Sequence, residues 1–465
     1  MPGTMHSSSS RRHFIKQAGI MTLGFTGLGR LNAGIQTSPA RGYGPLLKDP
    51  KGIFDLPKNF SYKVISKAGD HMSDGFLVPG DPDGMAAFGL QDGRVGLVRN
   101  HELNASQLDK SPFGPKNELL SKIPSSDLYD IADGKKPSIG GTTTLIYNPK
   151  TGKTDSEFLS LAGTENNCAG GPTPWGTWIT CEETAQKADS HFKADHGYNF
   201  EVPVTSIPAL AKPIPLKEMG RFRHEAIAVD PKSGIVYETE DVWDSLIYRY
   251  IPNEPSKLYK GGKLQALVIN AVPGWDTRNW SEPGAKPFPK NQAFETSWID
   301  IDDPESPEDN LRYQGRDKGA AVFARGEGMW YGDGEVYFAC TNGGPIRMGQ
   351  VFKYTPSPHE GTGLEKQKPG KVELFLESED KDVLKNCDNL CVAPWGDLFI
   401  AEDSEAPCKL VGVTPQGTCF DFGANHYNAS ELAGCCFSPD GEILFVNIQA
   451  TGLTLAISGP WNTRA

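Results

Sequence analysis

The chain has 465 residues and a formal net charge of -12, with a sequence pI near 5.3. An acidic balance of this size disfavours nucleic acid and anionic membranes as partners, and it suits a protein that binds cations. Beyond the N-terminal segment no stretch approaches the roughly 20 apolar residues of a membrane span, so we expect none in the mature chain.

The first 33 residues have the order of a twin-arginine export signal. Arg11 and Arg12 precede an aromatic, an aliphatic and a lysine, and a short apolar stretch from Ala18 to Leu28 follows. Leu31-Asn32-Ala33 is a candidate cleavage site. A basic disordered tail is the alternative. The pattern predicts export through the Tat machinery to the periplasm or the cell exterior, with residues 34–465 as one mature domain.

The sequence of the rest of the chain predicts strands joined by turns. Its 52 Gly and 36 Pro are spread throughout, and the apolar runs are short and flanked by turn residues. Residues 109–131 and 215–219 are the better helix or loop candidates. The nine cysteines have no regular spacing, which does not indicate a disulfide scaffold.

A degenerate repeat gives the predicted fold. Five segments share a polar opening residue, a short apolar run, a Pro/Asp/Gly turn and an apolar strand that ends in polar residues. They span Asn167–Glu183, His224–Asp241, Glu327–Asn342, Asp388–Asp403 and Glu431–Asn447. Residues 92–99 and 142–149 are candidates for a further repeat. We predict an all-β fold, a six-bladed β-propeller with extra loops and short helices.

The opening residues of these repeats are candidate metal ligands. In a propeller the first strand of each blade lines the central channel, which would bring together Cys168, Glu225, Glu327, Asp388, Asn389 and Glu431. Like charges at close range need protons or cations, and oxygen-rich rings favour calcium. A thiolate among them would favour a transition metal. For any single acid, a turn or cap role is the alternative.

Arg325 is the candidate phosphate ligand. It lies two residues before Glu327, so on a strand both side chains would face the same side. A guanidinium beside a metal cluster binds phosphate in a bidentate way. A salt bridge to a nearby acid is the alternative. The chain contains no H-E-x-x-H, G-x-S-x-G or Walker motif, so other hydrolase classes gain no support.

These blocks resemble the PhoX-type alkaline phosphatase family. The resemblance is strongest over residues 166–183 and continues at 220–225, 325–328, 388–390 and 431–441, and residues 83–85 and 99–102 fit it too. It implies a six-bladed propeller with an iron-calcium cluster, in which two ferric ions are bridged by an oxygen and calcium ions lie beside them. The substrate would be a small phosphomonoester, and we expect a monomer.

The resemblance also implies roles for single residues. Cys168, Glu183 and Glu225 would be iron ligands. Glu327, Asp388 and Glu431 would hold calcium or bridge to it, and Arg325 would bind the substrate phosphate. Further metal ligands carried over from the family are Asn389, Asp403, Glu182 and Asp241. Two other functions stay open: a non-catalytic calcium-binding propeller that binds a partner or phosphate, and a calcium-dependent propeller hydrolase acting on lactones.

Overall fold

The computed structural model describes residues 42–132, 136–281 and 286–462. The predicted export signal lies outside these residues. Within them the chain is built almost entirely of strands, and no helix is both long and apolar enough to cross a membrane. The α-helix is α1 (Leu311–Asp317). Single 3-10 turns lie at Leu108–Lys110, Leu120–Lys122, Ser125–Asp127, Lys217–Met219, Leu258–Lys260 and Glu365–Gln367. The candidate helical segments at 109–131 and 215–219 contain only such turns, and α1 lacked a sequence signal.

Three short strands precede the repeated part: β1 (Leu46–Leu47), β2 (Phe54–Pro57) and β3 (Ser61–Lys67). The first antiparallel sheet follows as β4 (Pro82–Gly89), β5 (Val95–His101), β6 (Gly140–Asn148) and β7 (Lys153–Thr164). A three-stranded sheet contains β8 (Asn167–Pro172), β9 (Thr177–Glu182) and β10 (Asn199–Pro203).

Two further meanders are fused side by side. The first contains β11 (His224–Val229), β12 (Val236–Glu240), β13 (Ile247–Pro252), β14 (Gly262–Ile269) and β15 (Ala293–Asp300). The second contains β16 (Gly326–Gly332), β17 (Glu335–Cys340), β18 (Gln350–Thr355) and β19 (Lys371–Glu377). Because β15 also pairs with β19, the two form one nine-stranded sheet.

The last two sheets recruit the N-terminal strands. The meander of β20 (Cys387–Val392), β21 (Leu398–Glu402), β22 (Cys408–Val413) and β23 (Cys419–Asn425) gains β2 and β1 at its outer edge. The meander of β24 (Leu432–Phe437), β25 (Ile443–Ile448) and β26 (Leu453–Ser458) gains β3, which pairs antiparallel with β26. The last strand, β26, therefore pairs with a strand from the N-terminal part of the described chain.

The first strand of each meander lies at the centre. Among the described residues, β4, β8, β11, β16, β20 and β24 contact one another in a closed ring. A cavity of only about 20 Å³ lies inside it, lined by small residues such as Gly84, Ala169 and Gly328. Trp330 also lines this cavity and packs against four hydrophobic clusters that lie between the sheets. The propeller-like, all-β arrangement predicted from the repeats is confirmed.

Each central strand has an irregularity at the same place. The pairing with the second strand shifts directly after Pro82, Asn167, His224, Gly326, Cys387 and Ala433. A β-bulge bends the strand and redirects the extra side chain. Here the two residues inside each bulge begin at Asp83, Cys168, Glu225, Glu327, Asp388 and Gly434. The repeat thus aims a different side chain at the axis from five of the six central strands, and the sixth has Gly434 at this position.

Candidate metal centre

Two sets of side chains occupy equivalent positions around the channel. The first, which we call the bulge set, contains Asp83, Cys168, Glu225, Glu327 and Asp388. The second, the return set, directly follows the second strand of each meander and contains Glu102, Glu183, Asp241, Thr341 and Asp403. One backbone hydrogen bond links them: each return-set N–H donates to the carbonyl two residues before the bulge residue, at 2.9–3.1 Å.

The sixth meander departs from this pattern. Its bulge position is Gly434, which carries no ligand, and its acid is Glu431, three residues earlier. Gln449 stands in the return position, and its N–H donates to the Glu431 carbonyl at 3.3 Å. Glu431 is therefore not the structural equivalent of the other repeat-opening acids, although it reaches the same end of the channel.

Three groups of donor atoms can hold metal ions within the described residues. In each group the donor atoms lie within 4.8 Å of one another. The groups are Cys168, Glu183 and Glu225; Glu225, Glu327 and Asp388; and Asp83, Glu102 and Glu431. Glu225 belongs to two of them, so the first two groups share a carboxylate.

The structure brings six of the sequence-predicted ligands into these groups and adds two. The six are Cys168, Glu183, Glu225, Glu327, Asp388 and Glu431. Sequence reasoning did not assign Asp83 and Glu102 to the site. The signal that could have found them is their position in the repeat. Asp83 is the second residue of β4, as Glu327 is of β16, and Glu102 directly follows β5, as Glu183 directly follows β9. The sequence of the first repeat is too degenerate to align with the others.

Two predicted ligands are placed elsewhere. Both oxygens of Glu182 are engaged, by the ring of His196 at 2.7 Å and by backbone N–H groups of residues 165, 197 and 198. The side-chain oxygen of Asn389 accepts from Gly434 N at 2.5 Å, and its amide donates to Asp388 at 3.1 Å. Both side chains therefore join strands and loops and lie outside the three groups, and their metal roles stay predictions.

Asp241 and Asp403 lie beside the groups without belonging to them. Asp241 is hydrogen-bonded to Glu183, and Asp403 to Glu431. Glu327 and Asp388 form a similar pair. Two adjacent carboxylates cannot both stay ionised without a cation, so each pair needs a shared proton or a metal ion.

The electrostatics of these groups follow from burial. Burial, together with neighbouring carboxylates, raises the pKa of Asp83, Glu225 and Glu327 well above the ordinary range. The same causes raise the pKa of Asp388 to about 7. Burial first, and then Glu225, also raises the pKa of the Cys168 thiol. Without cations these carboxyl groups therefore favour their protonated forms, and cation binding would displace the protons.

Arg325 lies directly before β16 and two residues before the bulge residue Glu327, at the end of the channel where the metal groups lie, which we call the mouth. It donates to both oxygens of Asp241, at 2.7 and 2.6 Å, and to Glu327 at 3.2 Å. Its backbone has a φ of 48°. Asp81, Asn166 and Asn386 have positive φ at the equivalent place in other meanders. Asn and Asp adopt this conformation readily, whereas for a long side chain it is uncommon and points to a functional constraint.

The family comparison shows which family the chain belongs to. The model of the family described as Alkaline phosphatase PhoX matches residues 41–452. The chain belongs to the PhoX alkaline phosphatase family. The predicted class, a metal-dependent phosphomonoester hydrolase, is thereby confirmed at the level of the family.

Solved structures resemble this PhoX-family chain to different degrees, and the first of the three below shares its fold. PhoX from Pseudomonas fluorescens, in complex with vanadate, matches with a TM-score of 0.64 and 17% identity, over 90% of this chain and 97% of that one. A gluconolactonase from Xanthomonas campestris matches with a TM-score of 0.37 and 11% identity, over 91% and 100% of the two chains. A putative 6-phosphogluconolactonase from Bacteroides uniformis matches with a TM-score of 0.39 and 11% identity, over 86% and 95%. No curated protein sequence matches the chain.

Proposed function

We propose that this protein is a phosphomonoesterase whose channel holds an iron-calcium cluster next to Arg325. The observation that carries the proposal is the convergence of one thiol and seven carboxylates, from strands far apart in the chain, into three groups at one end of the channel. The PhoX structure that shares this fold was solved with vanadate, described as a transition-state analogue. A phosphate-like ligand at the mouth is consistent with that description.

The residues present suit both kinds of metal ion. The group of Cys168, Glu183 and Glu225 offers the single sulfur donor and suits iron, because thiolates favour transition metals. The other two groups offer only oxygen and suit calcium. Asp83 provides a direct test of fit: its Oδ1 atom is buried and has no hydrogen-bond partner among the described residues. A buried carboxylate oxygen in that state is stabilised by a cation.

The bound cations would supply Lewis acidity toward the phosphoryl oxygens. The chain itself supplies the rest of the binding site. Asp241 accepts from the Nε–Nη2 edge of Arg325 and fixes the orientation of the guanidinium. The Nη1 group, whose contact with Asn342 is long at 3.4 Å, would donate to a phosphate oxygen. Trp330 and the small residues around it fill the channel below the acids. Substrate would therefore arrive from the side on which Arg325 lies.

We also propose six blades. The support is the closed ring of central strands, each of which opens one antiparallel meander with a bulge at the same place. The strands β14, β15 and β19 join two of these meanders, which blurs the boundary between the third and fourth blades.

We propose export by the twin-arginine route to the periplasm or cell exterior, where the protein would act as a monomer. Folding before export would allow the iron to be inserted in the cytoplasm. Substitution of Arg11 and Arg12 by Lys tests this proposal. We expect the variant to stay in the cytoplasmic fraction, and export at the wild-type level would contradict it.

The test of the function uses the full chain purified with both metals. We expect hydrolysis of 4-nitrophenyl phosphate, and loss of that activity in Arg325→Ala. Arg94→Ala is the matched control, since Arg94 makes only exposed ion pairs with Asp92 and Asp155. Gluconolactone serves as the competing substrate class. Turnover of the lactone alone, or no turnover with both metals confirmed in the protein, would overturn the proposal.

A further inference from the structure

Trp243 is a large apolar side chain exposed at the mouth of the channel. It is 55% exposed and follows β12 at the end of the sheet where the metal groups lie. The residue before it, Val242, accepts a backbone hydrogen bond from Arg325 N at 2.9 Å. Trp243 is therefore adjacent in the chain to a direct backbone partner of Arg325.

The segment that carries Trp243 is held on both sides. Asp241 binds the Arg325 fork, and Asp244 pairs with Arg312 at 3.3 Å and with Arg316 at 2.5 Å. The Trp243 carbonyl also accepts from Arg278 at 3.1 Å. These contacts fix the backbone while the indole stays in water. The ring face that stays in water can stack against a planar ligand group.

Trp280 packs against Trp243 and is linked to Arg325 through Asn342. The two indoles meet edge to face, with ring centroids 6.0 Å apart. Trp280 donates from Nε1 to the Asn342 carbonyl at 2.7 Å, and the Asn342 side chain accepts from Arg325 at 3.4 Å. The guanidinium groups of Arg278 and Arg347 already lie over the Trp280 ring, at 4.0 and 4.5 Å.

Trp243 keeps an exposed face. Within the described part of the chain, the one ring contact of Trp243 is with Trp280, and no cation lies over its ring. We infer that Trp243 forms a leaving-group subsite, which stacks the planar aromatic ring of a phosphomonoester whose phosphate is held by Arg325. This inference rests on the proposed phosphatase function. It names the substrate class that the mouth favours: phosphomonoesters of planar, ring-bearing alcohols over those of aliphatic alcohols.

The test compares two substrates of similar size in two variants. We would measure kcat and KM for phenyl phosphate and cyclohexyl phosphate in the wild type, in Trp243→Ala and in Trp243→Phe. Because each variant is compared with the wild type on the same substrate, the different reactivities of the two leaving groups cancel. Tyr259→Ala is the matched control: Tyr259 is 61% exposed and lies between β13 and β14, at the opposite end of the sheet.

We expect Trp243→Ala to lower kcat/KM for phenyl phosphate by about three- to tenfold, the range of an aromatic pair. The loss should appear in KM, since stacking acts on ground state and transition state alike. Cyclohexyl phosphate should change little, Trp243→Phe should restore most of the loss, and Tyr259→Ala should match the wild type. Equal effects of Trp243→Ala on both substrates would overturn the subsite and leave the phosphatase function intact.

A binding measurement separates failure of the subsite from failure of the proposed function. Phenylphosphonate and cyclohexylphosphonate would be titrated calorimetrically into the metal-loaded wild type and into Trp243→Ala. Tighter binding of the phenyl compound, lost in the variant, supports the subsite even where no substrate is hydrolysed. Equal affinity for the two phosphonates in the wild type would overturn it.

Discussion

Arg325 donates hydrogen bonds to both carboxylate oxygens of Asp241, at 2.7 and 2.6 Å. This pair sets the direction of the guanidinium at the channel mouth. We predict that Arg325→Lys lowers kcat/KM for a phosphomonoester roughly a hundredfold, because lysine keeps the charge but lacks the planar fork. Steady-state kinetics of the metal-loaded protein measures the change.

Asp241→Asn is the control for orientation. The amide still offers one oxygen to Arg325, so we expect a smaller loss than in Arg325→Lys, with unchanged folding by circular dichroism. If Arg325→Lys were as active as the wild type, the arginine fork would have no part in phosphate binding.

Gly434 makes room for the neighbouring central strand. A Cβ atom at this residue would lie 2.1 Å from the Asp83 carbonyl oxygen, and its φ is +60°. We predict that Gly434→Ala lowers the free energy of unfolding by roughly 2–5 kcal/mol, from left-handed strain plus overpacking. Displacement of Asp83 should also weaken calcium binding. Denaturant titration and calorimetry measure the two effects.

Gly334 provides the matched control for that substitution. It also has a positive φ, +87°, but a Cβ atom added to it would have no neighbour within 4 Å. Gly334→Ala should therefore show only the backbone penalty of about 1–2 kcal/mol, with calcium binding unchanged. Equal effects of the two substitutions would show that close packing at Gly434 does not matter.

Removal of the cations should make stability depend on pH in a defined direction. Burial raises the pKa of Asp388 and Glu102 in the folded protein to about 7, above the unfolded values of about 4. Protonation is favoured in the folded state, so this stability is complete below about pH 4 and is lost as the pH rises through 7. We expect the melting temperature of chelator-treated protein to fall between pH 5 and 8.

The calcium-loaded protein is the comparison for that measurement. Because the cation neutralises the carboxylates, its melting temperature should change far less over the same range. A metal-free protein that is equally stable at pH 5 and pH 8 would contradict the electrostatic description of the channel.

His196 gives a second pH dependence away from the metal groups. Its ring nitrogens lie 2.7 Å from Glu182 and 3.4 Å from Asp130. Burial lowers the pKa of His196, but the two carboxylates outweigh it and raise the pKa to about 10. The stability contributed by the imidazolium is complete below about pH 6.5 and is lost as the pH rises through 10.

The variant His196→Gln tests this contribution. It should melt several degrees below the wild type near pH 6.5, and the difference should shrink toward pH 10. A difference that is the same at both pH values would show that His196 stabilises the fold by packing alone.

Much of the fold could be predicted because turn residues of recognisable type, such as Pro, Asp and Gly, separate the strands of each repeat. The turns Pro394-Trp395-Gly396 and Gly332-Asp333-Gly334 each separate two apolar runs, and the structure has a strand on either side of both. The first meander was incomplete in the prediction, because residues 103–139 separate β5 from β6 and interrupt the pattern.

The candidate site was predicted in part, for a physical reason. Side chains such as Cys168 and Glu327 open strands whose turns are recognisable, so their convergence follows from the repeat. The β-bulges that aim them at the axis depend on pairing between strands and cannot be read from composition. For the same reason Glu182 and Glu183 could not be told apart: neighbouring residues point to opposite sides, and only Glu183 reaches the metal groups.

Metal analysis of the purified protein tests the central claim most directly, that donors from separate strands bind cations together. Iron and calcium would be quantified by mass spectrometry in the wild type, in Glu225→Gln and in the surface control Glu254→Gln, whose residue pairs only with exposed lysines. Since Glu225 belongs to two of the three groups, we predict both metals in the wild type and the control, and loss of most iron and part of the calcium in Glu225→Gln. A wild-type protein matured through its native export route without either metal, or a Glu225→Gln protein with the full content of both, would contradict the account.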